Sequence, residues 1–294
     1  MINKSNITYE NIQLVKNATY ASVFVAIVLI VLKYFAWYIT GSVSLLSTLL
    51  DSLVDLSASV LNLFAVRLAI RPPTKNYTFG HGKFESLSAL IQAFFIMGSA
   101  LFFIREIYQQ IFYEEKIQEP YVGVVVMIIS IIITTLLLAY QRYVVKKTKS
   151  LAISADSIHY FSDLLINACV IVALIGTWYL GWEWIDSAIG ICIGIYVLYM
   201  AVKITIEPLQ VLMDRELNEE EREKIEDLVR SNSDVKGFHD LRTRSAGQNI
   251  FIQMHLELDK ELSLERAHEI SDEVKESIES VFPGAEVLIH QDPV

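Results

Sequence analysis

The chain has 294 residues, 53% of them hydrophobic and only 20% charged, and its mean hydropathy is +0.41. That is too apolar for a soluble domain of this size and places the chain among integral membrane proteins. The formal net charge of −10 argues against a nucleic-acid partner, which would call for a basic patch.

Six stretches approach the roughly 20 residues that a bilayer requires. They cover about 18–40, 43–70, 85–112, 121–145, 152–180 and 184–206. The first is too long and too polar at its ends for a removable signal peptide, and it has no small-residue cleavage site. Lys4, Lys16, Arg67, Arg71, Lys75, Lys83, Arg142, Lys146, Lys147 and Lys149 fall on one side of a six-helix arrangement. The opposite loops, around Gly41, at EEKIQEP and at GWEW, are short and poor in Lys and Arg. The positive-inside bias therefore predicts a multi-pass protein of the inner membrane with both termini in the cytoplasm. Apolar helices exclude an outer-membrane barrel. Lys33 and Arg105 lie in the outer halves of their spans, where long stems are expected to snorkel outward.

Two pairs of ionisable residues interrupt this apolar background. Asp51 and Asp55 lie in the second span, and His159 and Asp163 in the fifth. Each pair is spaced i, i+4, which puts both members on one helix face a turn apart. A charge at bilayer depth costs at least about 2.5–3.5 kcal/mol and is kept where it has partners and a use. Three carboxylates and an imidazole brought together by two packed helices make a four-ligand set suited to a divalent ion such as Zn2+. Cys169 and Cys192 lie inside the fifth and sixth spans without a CxxC partner and read as small packing residues.

After 206 the chain turns charged and amphipathic, so the expected division is a transmembrane domain over 1–206 and a cytoplasmic domain over 207–294. The tail reads α-β-β-α-β. Asn218, with Glu221 three residues on, caps a helix running to about Ser231. Its acidic face, Glu219, Glu220, Glu221, Glu223, Glu226 and Asp227, reads as a solvated surface. A strand GFHDLRTRSA and a turn at Gly247 follow, then NIFIQMHLELD, in which Ile250, Ile252, Met254, Leu256 and Leu258 alternate with Phe251, Gln253, His255 and Glu257. A helix over about 264–282, closed by Pro283 and Gly284, leads into a last strand, EVLIHQD. Four of the six histidines, His239, His255, His268 and His290, lie in this tail, and Asp292 shares a strand face with His290. Neutral imidazoles with a carboxylate are what zinc prefers, so a second metal site is expected there.

DSLVD with HYFSD, the GHGK after the second span, and HDLRTRSAG, IQMHLELD and IHQDP together resemble the cation diffusion facilitator family, in its bacterial zinc and iron efflux branch. The similarity runs over essentially the whole chain. It implies a membrane all-α six-helix transport domain with a metallochaperone-like α+β tail, working as a homodimer in lipid and not as an enzyme. It implies a tetrahedral transport site at Asp51, Asp55, His159 and Asp163, for Zn2+, Fe2+ or Cd2+. It further implies a binuclear cytoplasmic site at His239, His255, His268, His290 and Asp292 that straddles the dimer interface, and a charge interlock between Lys83 and Asp214. Similar proteins carry an Asp and two His in the loop after the second span, where this chain has Thr74, Tyr77 and His81. Thr and Tyr are poor zinc ligands, so that loop site is expected to be weak or absent.

Ligands must lose their protons to bind metal, so metal and protons compete for the membrane quartet. An imidazole titrates near neutral pH. Alternating access to such a site gives metal/proton antiport. A metal-selective channel or a membrane metal sensor could be built on the same ligands. A tetrahedral cage holds metal too tightly for fast conduction, however, and a sensor leaves the membrane carboxylates without a purpose.

Overall fold

The computed structural model describes residues 4–41, 43–112, 120–180, 183–247 and 249–294. The loop residues 113–119 and 181–182, which entered the orientation argument, lie outside the described residues. Six long helices come first: α1 (Lys4–Thr40), α2 (Val43–Ala69), α3 (Lys83–Phe112), α4 (Pro120–Thr148), α5 (Leu151–Leu180) and α6 (Glu183–Leu212). Among the described residues, α1 to α4 and α6 are long and apolar enough to cross a membrane by length and composition alone. The fifth, α5, has 30 residues, about 45 Å of helix, and packs against α3, α4 and α6.

Two helix ends differ from the sequence reading. The first helix begins at Lys4, well before the apolar stretch, because Val15 and Ala18 continue its packing against Val66, Val144 and Ile153. The sixth runs past Pro208 to Leu212. A proline inside a helix forfeits one backbone hydrogen bond, a loss that a membrane bundle tolerates.

The tail follows the expected order: α7 (Glu219–Arg230), β1 (Gly237–Ala246), β2 (Asn249–Leu258), α8 (Leu264–Val281) and β3 (Glu286–Pro293). Asn218 caps α7 by accepting the Glu221 N–H at 2.8 Å, and Ser263 caps α8 through the Arg266 N–H. Strand β2 is central, antiparallel to β1 and parallel to β3, with α8 as the crossover. Ile225 and Val229 of α7 and Ile270, Val274 and Ile278 of α8 cover one face of the sheet, on Ile252, Met254, Leu256 and Leu258. Gly247 supplies the positive φ of 63° with which the β1–β2 turn begins.

Phe251, expected on the polar face of β2, is instead buried. That end of the sheet meets the helical bundle. Phe251 stacks edge-on with Phe79 at 5.5 Å, and the Arg244 guanidinium lies over both rings at 4.6 and 4.9 Å. Lys83, at the start of α3, pairs with Asp214 at 2.9 Å, and Arg244 reaches the same carboxylate at 3.3 Å. Gly82 packs directly on the Ala246 carbonyl, where a Cβ would collide.

The hydrogen bond from Lys83 outweighs the upward push of desolvation and, with a lesser one from Arg244, holds the Asp214 carboxyl below its usual range. A depressed carboxyl stabilises the fold above its unfolded pKa of about 3.9 and stops doing so as pH falls through the folded value. Both side chains are more than a third exposed, so the pair contributes less than about 1 kcal/mol. Thermal melts of Asp214→Asn and the wild type should therefore differ modestly at neutral pH, and the gap should begin to close below about pH 4 and vanish only once pH has fallen through the depressed folded value. A gap that stays constant from neutral pH down to about pH 2 would rule out the ion pair as its source.

Candidate metal sites

Helices α2 and α5 bring the membrane pairs together. His159 is 1% exposed, and its Nε2 lies 3.4 Å from Asp55 Oδ1 and 3.8 Å from Asp163 Oδ2. Both ring nitrogens are buried and make no hydrogen bond. Two ligand atoms on a tetrahedral zinc ion, each about 2.0–2.2 Å from the metal, lie about 3.3–3.5 Å apart. The separations found are close to that, and the imidazole has no hydrogen bond to compete with a metal. Asp51, one turn from Asp55, stands outside this tight trio but lines the same cavity of about 390 Å³. Thr48, Phe102, Ile166 and Asn167 also line it, so it lies toward the ends of α2, α3 and α5 that point away from the tail.

Two further residues shape this site, Lys33, expected to snorkel outward, and Asp156, which the sequence reading passed over. Lys33 does not snorkel away. Its Nζ donates to the Thr48 carbonyl at 3.2 Å and to Ser52 Oγ at 2.7 Å, and it lines the cavity beside the carboxylates. Arg105, by contrast, is exposed. Asp156, three residues before His159, is fully buried. It accepts from Ser22 Oγ at 2.6 Å, Gln141 Nε2 at 2.7 Å and Gln92 Nε2 at 3.0 Å. A buried carboxylate persists only when donors satisfy it. These three come from α1, α4 and α3, so Asp156 braces the turn of α5 that carries His159 against three other helices. Its signal in the sequence is a second acid, beside Asp163, on the His159 face of the same helix.

The tail assembles a second group. In the sheet register His239 on β1 faces His255 on β2, which in turn faces His290 on β3. The three rings form a row with centroids 5.0 and 4.7 Å apart. Asp292 closes it, with oxygens 2.8 Å from His255 Nδ1, 3.3 Å from His239 Nε2 and 3.3 Å from His290 Nε2. The hydrogen bond with His255 is the main reason the Asp292 carboxyl titrates below its usual range. Glu257, which the sequence reading left out of the site, sits 2.9 Å from His239 Nδ1. A bulge between His239 and Arg242, with Asp240 at φ 51°, lets β1 turn His239 toward this row.

His268 is not brought to the row within one chain. It stands 72% exposed on α8, which packs on the opposite face of the sheet, and lies 3.5 Å from Asp272. In the loop after α2, Thr74 and Tyr77 pair through their backbones, and the His81 ring packs on Tyr77 at 4.8 Å. Among the described residues two groups of three metal-ligating side chains converge, Asp55–His159–Asp163 and His239–His255–Asp292, and His81 belongs to neither. Cys169 is buried and Cys192 exposed, and neither forms a disulfide.

A membrane-spanning helical bundle with carboxylates and an imidazole gathered at depth, joined to a small α+β tail with a histidine row, has the architecture of a membrane cation carrier. Residues 19–213 match the model of the cation efflux transmembrane domain, and residues 217–294 match the cytoplasmic domain of cation efflux proteins. The chain belongs to this family, the cation diffusion facilitators. It is 47% identical over 281 residues to the cation-efflux pump FieF of Serratia proteamaculans (strain 568), covering 96% of this chain and 93% of that one. It is 46% identical over 281 residues, with the same coverage, to the FieF pump of Escherichia coli (strain K12 / DH10B). A solved structure of CzrB, a proposed zinc transporter, shares 32% identity over 26% of this chain and 98% of that one, with a TM-score of 0.26. The protein is a multi-pass cation efflux transporter of the cation diffusion facilitator family.

Proposed function

We propose that this transporter exports Zn2+, with Fe2+ and Cd2+ as further cargo, in exchange for protons. The observation that carries the reading is the trio Asp55, His159 and Asp163, with Asp51 on the wall of the same cavity. One imidazole among carboxylates favours borderline ions such as zinc over the harder manganese. Metal binding requires these groups to give up protons, so every loading and release event exchanges one for the other. The chain's residues bind and release the ion and break no covalent bond.

In this reading residues 1–206 carry cargo across the inner membrane and residues 207–294 face the cytoplasm with both termini. The cavity beside Asp51 is then the exit side. The row His239, His255, His290 and Asp292 holds zinc as a regulatory or structural ion, and His268 reaches such an ion only from a second copy. Dimerisation through the tail completes that second site. Everted vesicles containing the full chain test the transport reading. An imposed pH gradient, acidic inside, should drive zinc uptake, and collapsing the gradient should stop it. Zinc-carried current that survives without a proton gradient would favour a channel instead.

A further inference from the structure

Among the described residues, Lys33 is the one basic side chain on the wall of the outer cavity. Its ammonium is fixed by the Thr48 carbonyl and Ser52 Oγ, the two acceptors that flank Asp51 on α2. Asp51, Asp55 and Asp163 line the same cavity. An ammonium has three donors and no lone pair, so it cannot ligate metal. It is a fixed positive charge on the wall of the compartment into which a divalent cation emerges from the site.

We propose that Lys33 is a built-in release cation: its charge lowers the affinity of the outward-open site for the divalent cargo and so speeds departure. The inference rests on the reading of Asp51, Asp55, His159 and Asp163 as the transport site. When the cargo has left, the ammonium neutralises part of the carboxylate charge that the metal had balanced. While cargo is bound, a single and a double positive charge share one cavity and repel. With an effective dielectric near 20 and a separation within about 10 Å, that repulsion weakens binding by roughly tenfold or more. The effect is confined to the outward-open arrangement, because the cavity that holds both charges lies on that side.

The test uses the full chain in oriented proteoliposomes and reads how zinc on the exit side inhibits transport. In Lys33→Gln, which keeps a hydrogen-bond donor near Thr48 and Ser52, half-inhibition should occur at roughly tenfold lower zinc while turnover falls. Lys33→Arg should regain the wild-type pattern. Tighter binding with slower turnover separates this role from a structural one, since a damaged site would bind more weakly and turn over more slowly together. Lys33→Met removes the same charge if the glutamine variant fails to assemble as a dimer. Exit-side inhibition that is unchanged or weaker in the charge-removing variant overturns the proposal. The zinc flux of Asp55→Asn, measured in parallel, keeps the two readings apart. If that flux falls to background while exit-side inhibition of Lys33→Gln matches the wild type, the release role alone falls. If Asp55→Asn transports zinc like the wild type, the transport site itself is misassigned.

Discussion

Alanine at His159 is expected to reduce zinc flux to the background of empty vesicles, and alanine at Asp51, Asp55 or Asp163 to do the same. His159 sits 1% exposed between Asp55 and Asp163 with no competing hydrogen bond, so its replacement removes one of the four proposed ligands. Loss of an outer-shell partner already costs metal sites about 10–100-fold, so loss of a direct ligand should exceed 100-fold. The fold should survive. The turn of α5 that bears His159 is held separately by Asp156 through Ser22, Gln92 and Gln141, and Tyr160 Oη lies 3.0 Å from both Ser59 Oγ and the Ser22 carbonyl. Size-exclusion profiles and flux, measured on the same preparations, check both halves. Wild-type flux in any two of the four variants would falsify the site.

Replacing His239, His255 and His290 together with alanine should remove high-affinity zinc from the tail and weaken its self-association by more than about tenfold. A metal that links two copies contributes its binding free energy only to the associated state. The row is formed by sheet register alone, and its loss leaves the core of Ile252, Met254, Leu256, Ile270 and Val274 untouched. The tail has that core to itself, so residues 214–294 should fold in isolation and can be titrated calorimetrically. Transport by the full chain should fall without vanishing, because the membrane quartet is intact. Equal zinc binding by the wild-type and triple-variant tails would return these histidines to the role of solvated surface residues.

The tail was legible almost residue by residue because each of its signals is local: an Asn218 cap, alternation along β2, Pro283 and Gly284 after α8. Phe251 broke the alternation because the bundle, not water, covers its face, and no local pattern announces a contact with Phe79. The ends of α1 and α6 were misread for a related reason, since hydropathy marks where lipid ends and not where helical packing ends. The membrane pairs stood out because charge is costly among apolar residues. The partners that hold them did not, since whether Lys33 turns inward or Asp156 meets Gln92 and Gln141 depends on how distant helices pack. The histidine row lay between these cases. Alternation predicted the face of His255, but only the strand order and the bulge before Arg242 set His239, His255 and His290 side by side.

Gly190 and Gly194 of α6 lie against Ile107 and Ile104 of α3, so closely that a Cβ at either glycine would meet the isoleucine side chain. Small residues one turn apart let two helix backbones interlock in a membrane. Because α6 leads into the tail and α3 is tied to it by Lys83 with Asp214 and by Gly82 on Ala246, the interlocked pair and the tail form one mechanical body. The cavity lined by Asp51, Asp55 and Asp163 opens between α3 and the helices α2 and α5. A bulky residue at Gly194 would act as a wedge between α6 and α3 while leaving Asp51, Asp55, His159 and Asp163 in place.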